Sequence, residues 1–309
     1  MSTPSCRPLL CLILRIVVVG ALTAGPLAQA EEKKCLLVCS TTQVADFVRQ
    51  VAGDRYEVRS ILAPGMDPHL YETKPGDAAL VARADLCFEN GWHLEGKDWM
   101  RRLAENAGRP IVTCVDGLRP LELEEGEGEP VRDPHAWFTP KNASQFVRNI
   151  TKAMIELDPP HRKEYEARSR LYLDELRVLH HWILSEISSI PAEKRVLVTS
   201  HDAFNYFCRE YGFTAKTPAG WSTGDEIGGG VTEARRQQTI DAIAKSGVRA
   251  IFVETSVNDK QIRTIADQAK VKIGGRLYSD SMGEPGSAGE TYLGMMRENV
   301  LTIVEGLRE

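Results

Sequence analysis

Three histidines and one aspartate stand in settings suited to metal chemistry. His69 lies in Gly65-Met66-Asp67-Pro68-His69-Leu70-Tyr71-Glu72, His135 in Asp133-Pro134-His135-Ala136-Trp137, His201 in Thr199-Ser200-His201-Asp202, and Asp280 in Leu277-Tyr278-Ser279-Asp280-Ser281. A lone loop histidine is more often a surface residue than a ligand. Three of them with a carboxylate, and with Asp-Pro-His occurring twice, form a set that zinc or another divalent first-row metal accepts, four donors closing a tetrahedral shell. Pro68 and Pro134 hold the preceding Asp67 and Asp133 extended, where each carboxylate either orients the neighbouring imidazole or caps the turn. A zinc hydrolase is the rival chemistry: three histidines with an open fourth position activate water, and Glu72, three residues after His69, is the candidate base. Against it, Asp280 would fill the open position, and no Ser, Cys or paired carboxylate accompanies the histidines.

The elements that must bring these residues together alternate from residue 35 onward. Strands are expected at 35–40, 56–62, 86–89 and 111–115, with helices at 44–52, 76–83, 97–106 and from Pro140 to about Leu157, capped by Thr139. The pattern resumes with strands at 195–199, 213–217, 250–254 and 273–278 and helices at 203–211, 232–246, 259–269 and 289–307. Such alternation specifies α/β architecture with parallel sheets wrapped by helices. Ligands of open parallel sheets bind beyond the carboxyl ends of the strands, and all four residues fall there. His69 and His135 come from a first lobe, 31–157, and His201 and Asp280 from a second, 191–309.

Between the lobes, 158–190 reads as one long rigid helix, with Asp158 as N-cap, Pro159 at the first helical position and Ile190-Pro191 as the stop. Tyr165, Tyr172, Leu176, Leu179, Ile183, Ile187 and Ile190 follow helical spacing, and Leu171, Val178 and Trp182 form a second apolar strip that predicts contact on two sides. A helix this long resists bending, so little lobe movement is expected between empty and loaded states. The 16 residues from Gly117 to Arg132 read as a loop with glutamates at 122, 124, 125, 127 and 129, a solvated surface that attracts cations weakly. Gly228-Gly229-Gly230 lacks the Lys-Ser/Thr ending of a phosphate loop and reads as a flexible turn before Thr232. His93 reads as a surface-loop residue, and His161, His180 and His181 as solvated or packed residues of the connector.

Residues 1–30 have a different composition. Arg7 and Arg15 precede the apolar run Ile16 to Leu27, and Ala28-Gln29-Ala30 is a small-residue cleavage signal, so export and removal after Ala30 are expected. The run is too short to span a membrane, and no stable membrane insertion is expected. What remains carries 36 Lys and Arg against 43 Asp and Glu, a formal charge of −7, which excludes nucleic acid as a natural partner. Five cysteines stay: Cys35, Cys39, Cys87, Cys114 and Cys208. Without a Cys-x-x-Cys, and mostly in apolar strand-like runs, they point to buried packing, with a single disulfide as the alternative. Glu32-Lys33-Lys34 before Cys35 does not suit a lipoprotein cleavage site.

Taken together, Gly-x-Asp-Pro-His-x-Tyr-Glu, Ala84-Asp85-Leu86 with Glu89-Asn90-Gly91 and Leu94-Glu95, Asp-Pro-His-x-Trp, Ser-His-Asp-Ala-Phe and Leu-Tyr-Ser-Asp-Ser resemble the metal-binding solute-binding proteins of ABC importers, the zinc and manganese class. The resemblance covers nearly all of the chain after the first thirty residues, with the motifs in the family's order. It implies two α/β lobes joined by one long helix, and His69, His135, His201 and Asp280 as ligands of one transported ion. It further implies delivery to the transmembrane subunits of an ABC permease, no catalytic activity and a monomeric receptor. Many manganese members of that family carry Glu where this chain has His201, and many zinc members carry a His-rich loop where this chain has its Glu-rich one; three nitrogen donors favour zinc, with manganese next. A metal-stabilised adhesin is the remaining alternative beside the hydrolase.

Overall fold

Leu36, Leu37, Val38 and Cys39 form an apolar run without polar alternation, the pattern of a strand covered on both faces. In the computed structural model, which describes residues 34–123, 131–216, 250–256 and 260–308 together with 237, 240, 241, 243–245, 247 and 248, this run is strand β1 (Cys35–Cys39). It pairs in parallel with β2 (Tyr56–Ser60) and β3 (Leu86–Glu89), and β3 pairs in parallel with β4 (Ile111–Thr113), giving the order β2-β1-β3-β4. Alternate β1 residues enter different cores. Leu37 and Cys39 pack with α1 (Thr42–Ala52), whereas Leu36 and Val38 pack with Val81 of α2 (Pro75–Ala82) and with Trp99, Met100 and Ala104 of α3 (Trp99–Asn106). The expected acidic loop contains a short antiparallel ribbon, β5 (Glu122–Leu123) with β6 (Val131–Arg132). Its other four glutamates lie outside the described residues.

Helix α4 (Pro140–Leu157) starts as its sequence specifies, with Thr139 Oγ1 accepting from the Asn142 amide at 3.1 Å and Pro140 in the first turn. The connector differs in detail from expectation. Pro159–His161 is a 3₁₀ turn and the α-helix proper, α5, runs Arg162–Ile187. Asp158 does not cap it through its side chain. That carboxylate accepts instead from Tyr165 Oη at 2.6 Å and faces His161 Nδ1 at 2.8 Å. The first apolar strip is buried against α1, α4 and the C-terminal helix, while the second is covered at one end only: Trp182 packs on the core beneath Arg297, 5.6 Å from its ring centroid, and Leu171 and Val178 are 69% and 64% exposed. The expected contact on a second side is thus met at Trp182 and not at Leu171 and Val178.

The second lobe contains β7 (Val196–Val198), α6 (Asn205–Tyr211), β8 (Thr214–Lys216), β9 (Ala250–Glu254), α7 (Lys260–Ala269), β10 (Lys272–Leu277) and α8 (Tyr292–Arg308). Strand β7 pairs in parallel with β8, and β9 with β10. The turn expected at 228–230 lies outside the described residues, and of the helix expected over 232–246 only 237, 240, 241 and 243–245 are described, all helical. The architecture is thus α/β, two lobes joined by one long helix. All five described cysteines are free, four of them buried. Cys39 and Cys87 occupy adjacent strands but face opposite sides of the sheet. Among the described residues no helix is long and apolar enough to cross a membrane.

Candidate metal centre

Each candidate donor leaves the carboxyl end of a strand or the ribbon beside it, and a hydrogen bond fixes the backbone on which three of them sit. The His69 amide donates to Asp67 Oδ1 at 2.8 Å, the His135 amide to Asp133 Oδ1 at 2.9 Å, and the His201 amide to Glu254 Oε1 at 2.9 Å. Asp280 follows β10 by three residues. The structure brings all four together, buried, with one donor atom from each lying within 4.8 Å of every other. Nε2 of His69 and of His135 are 3.2 Å apart, while Asp280 places Oδ1 3.3 Å from His135 Nε2 and Oδ2 3.1 Å from His201 Nε2. A tetrahedral ion with bonds of about 2.0–2.1 Å separates its donors by about 3.3 Å, so these spacings already match a coordination shell. Both Asp280 oxygens face imidazoles, which allows one-oxygen or two-oxygen ligation.

The electrostatics are those of a desolvated cluster. Burial drives the His69 imidazole down to about 3, outweighing the pull of Asp280 in the other direction. Burial acts the same way on His135, but Asp133 and Asp280 overcome it and lift that imidazole to about 10. His201 is likewise raised, burial opposing and Glu254 and Asp280 prevailing. Asp280, which burial alone would raise, is held well below the usual carboxylate range by His201 and His135. A divalent cation bound here would take the place of imidazolium protons as the positive charge, because a metal-ligating imidazole is neutral. Three neutral imidazoles and Asp280 leave +1 on a divalent site, and the adjoining buried carboxylates Asp133 and Glu254 supply further compensation.

Sequence left two roles open for the Asp-Pro-His aspartates, and the structure separates them. Asp133 Oδ1 reaches both the backbone amide and Nδ1 of His135, the latter at 2.8 Å, so it caps the turn and directs Nε2 into the site. Asp67 caps only; His69 Nδ1 has no hydrogen-bond partner among the described residues. His69 is held from beneath instead. Trp99 Nε1 donates to Pro68 O at 3.0 Å, and Gly96 approaches so closely that a Cβ there would lie 2.0 Å from His69 O. That approach belongs to a segment in which Trp92, His93, Lys97 and Asp98 all have positive φ, a concentration of backbone strain beside a site. Glu95 ties it to the strand ends, accepting from Ser40 Oγ at 2.6 Å and from the Asn90 and Gly91 amides at 2.7 and 3.1 Å.

Glu254 is the residue that sequence reasoning missed. It ends β9, Ala-Ile-Phe-Val-Glu, buried throughout, and Oε2 lies 2.6 Å from His201 Nδ1. An acid closing a wholly apolar strand is the signal that pointed to it, because such a charge needs a buried partner. Glu72, the imagined hydrolytic base, is exposed, away from the buried cluster. His93 is an exposed loop residue facing Asp98, His181 is exposed, His161 and His180 are part-buried, and none of the four joins the metal cluster.

Comparison with known proteins places these features in context. Residues 37–306 match the family described as "zinc-uptake complex component A periplasmic" (ZnuA). The chain is 35% identical over 287 residues to the manganese-binding lipoprotein MntA of Bacillus subtilis (strain 168), covering 91% of this chain and 92% of that protein. It is 36% identical over 307 residues to the zinc-binding protein TroA of Treponema pallidum (strain Nichols), covering 94% and 96%. Among solved structures, the periplasmic zinc-binding protein TroA of Treponema pallidum superposes with a TM-score of 0.82 at 33% identity, over 89% of this chain and 100% of that one. The manganese-bound periplasmic metal-binding protein from Candidatus Liberibacter asiaticus gives 0.77 at 30% identity, over 89% and 100%.

Proposed function

The chain belongs to the ZnuA family, matched over residues 37–306, and on that premise we propose that it is an extracytoplasmic receptor that binds one divalent transition-metal ion between its lobes and delivers it to an ABC-type membrane permease. One observation carries the reading: two imidazoles of the first lobe and an imidazole and a carboxylate of the second converge, buried, at coordination spacing. His69, His135, His201 and Asp280 are the ligands, and the ion is cargo rather than a resident cofactor. The lobes are 31–157 and 191–309, with 158–190 between them. The family is one of binding components rather than enzymes, and Glu72, exposed and outside the buried cluster, lends the hydrolytic reading no support.

Zinc is the favoured cargo and manganese the second. Three nitrogen donors suit zinc, whereas manganese prefers more oxygens and higher coordination, which Asp280 supplies only by binding through both of its oxygens. The relatives are named for either metal. The receptor acts outside the cytoplasm as a monomer after removal of residues 1–30. Several relatives are named lipoproteins, but Glu32-Lys33-Lys34 precedes Cys35 here, so this chain is released without a lipid. Intact mass of exported protein tests that, a lipidated or retained N-terminus counting against it. Elemental analysis of purified protein followed by zinc-against-manganese competition tests the cargo. His201→Ala should weaken both metals, and His201→Glu should lower zinc affinity relative to manganese. Unchanged zinc binding by His201→Ala removes His201 from the site.

A further inference from the structure

The backbone that carries the second lobe's carboxylate is held by the first lobe as well as by its own. Within its own lobe, the chain before Asp280 is fixed as far as Tyr278, whose amide donates to Asn299 Oδ1 at 2.8 Å and whose carbonyl accepts from Asn299 Nδ2 at 2.7 Å. Ser256 then offers one contact to Ser279 Oγ at 2.7 Å and a long one to Asp280 Oδ2 at 3.5 Å. From the other side of the cleft the grip is closer. Thr42 and Gln43 open α1, directly after β1, and both are buried although polar, 7% and 2% exposed. The Met282 amide donates to Thr42 Oγ1 at 2.9 Å, Thr42 Oγ1 donates to Gln43 Oε1 at 3.1 Å, and Gln43 Nε2 donates to Ser279 O at 3.0 Å. Each donor in this chain has an acceptor, so the network is closed and clasps the backbone on both sides of Asp280. The His69 segment joins it, the Gly65 amide donating to Ser281 Oγ. One turn further along α1, Asp46 Oδ2 accepts from the Tyr292 amide at 2.9 Å, at the start of α8.

We propose that Thr42 and Gln43 form a latch across the cleft that positions Asp280 and sets how long the cargo metal is retained. The inference rests on the receptor reading above and deepens it by assigning control of release to residues that touch no metal. An ion held by donors from two lobes leaves only when one lobe's donors withdraw. With the first lobe gripping Ser279 and Met282, Asp280 cannot withdraw until the latch parts. The latch residues are thus positioning residues whose loss speeds release while leaving capture, which begins from the open cleft, unchanged.

The test uses Thr42→Val and Gln43→Met, which keep shape and remove the hydrogen bonds, with Thr42→Ser, which keeps the hydroxyl. Zinc-loaded proteins are mixed with excess chelator and the dissociation rate is followed, while association rate and the melting temperature of chelator-treated protein are measured in parallel. The expected result is release about five- to tenfold faster for each of Thr42→Val and Gln43→Met, with wild-type association and with Thr42→Ser close to wild type. Melting temperatures that fall while release stays at the wild-type rate assign these residues a purely structural role and overturn the latch, leaving the receptor reading standing. A wild-type protein that retains neither zinc nor manganese overturns the reading on which the latch rests.

Discussion

Glu254→Gln changes one atom, and its effect follows from the site's geometry. The carboxylate accepts from the His201 amide at Oε1, 2.9 Å away, and its Oε2 lies 2.6 Å from Nδ1 of the same residue as an ion-pair contact. The negative charge 2.6 Å from Nδ1 favours the imidazole proton there and leaves the Nε2 lone pair facing the other candidate ligands. An amide has one acceptor and one donor. If its oxygen keeps the backbone amide, its NH₂ faces Nδ1 and favours the tautomer with hydrogen on Nε2, the atom that must bind metal. If the amide turns over, its NH₂ meets the His201 N–H head-on. Either arrangement costs a hydrogen bond in a place with no water to replace it. Glu254 and His201 are both 1% exposed. Loss of an outer carboxylate of this kind lowers metal affinity about 10- to 100-fold, or about 1.4–2.7 kcal/mol. Competition of Glu254→Gln and wild type against a zinc chelator of known affinity measures it. Affinities within twofold of each other, with zinc still bound through His201, refute the argument that Glu254 fixes the tautomer.

Asp133 and Asp67 should separate under the same assay: Asp133→Asn removes a contact to His135 Nδ1 and should cost about tenfold or more, whereas Asp67→Asn touches only a backbone amide and should cost about threefold or less. Equal losses would contradict the division of roles. Gly96→Ala drives a methyl into His69 O and should destabilise the protein by about 1–3 kcal/mol in denaturant titration and weaken metal binding with it; an unaffected metal affinity would show that the close approach does not set the His69 position. For Glu95, burial and the nearby Glu89 raise the carboxyl to about 7 against an ordinary 4.5, despite its three donors. A raised folded value contributes stability below about pH 4.5 and loses it as pH rises through about 7, so chelator-treated wild type should lose about 1–3 kcal/mol relative to Glu95→Gln between pH 5 and 8. A gap that stays flat across that range argues that Glu95 remains ionised throughout. Saturating zinc should raise stability by about 4 kcal/mol at a thousandfold excess over the dissociation constant, and equal melting of loaded and chelated samples would place the metal elsewhere or nowhere.

How far the sequence carried depended on whether a property was local. Thr139-Pro140 start α4 through a hydroxyl and a ring within one turn, and both were legible. The apolar strands β1, β3 and β9 were legible because a strand buried on both faces needs no alternation. The four site residues came from motif and strand position together. Glu254 was not found, since its role depends on β9 lying beside the segment after β7, a long-range neighbour that no spacing encodes. The start of α5 differed because Asp158, a good cap by type, is drawn instead to Tyr165 and His161. Of the strip Leu171, Val178 and Trp182 only Trp182 is covered, because periodicity reports what a helix face could bury but not where along it another element stands.

The thiols acquire a meaning from the cargo. Thiolate is a strong donor to first-row metals such as zinc, and a carrier with five described cysteines risks misplacing its own freight. Only thiolates compete, and here ionisation is suppressed at four of the five: burial raises Cys39, Cys114 and Cys208 far above the ordinary range and Cys87 to about 11. They are held as neutral apolar side chains within the cores, a form that competes poorly for the ion. The interior therefore keeps these four thiols out of the competition and leaves the ion to nitrogen and oxygen donors, from which a permease can take it back.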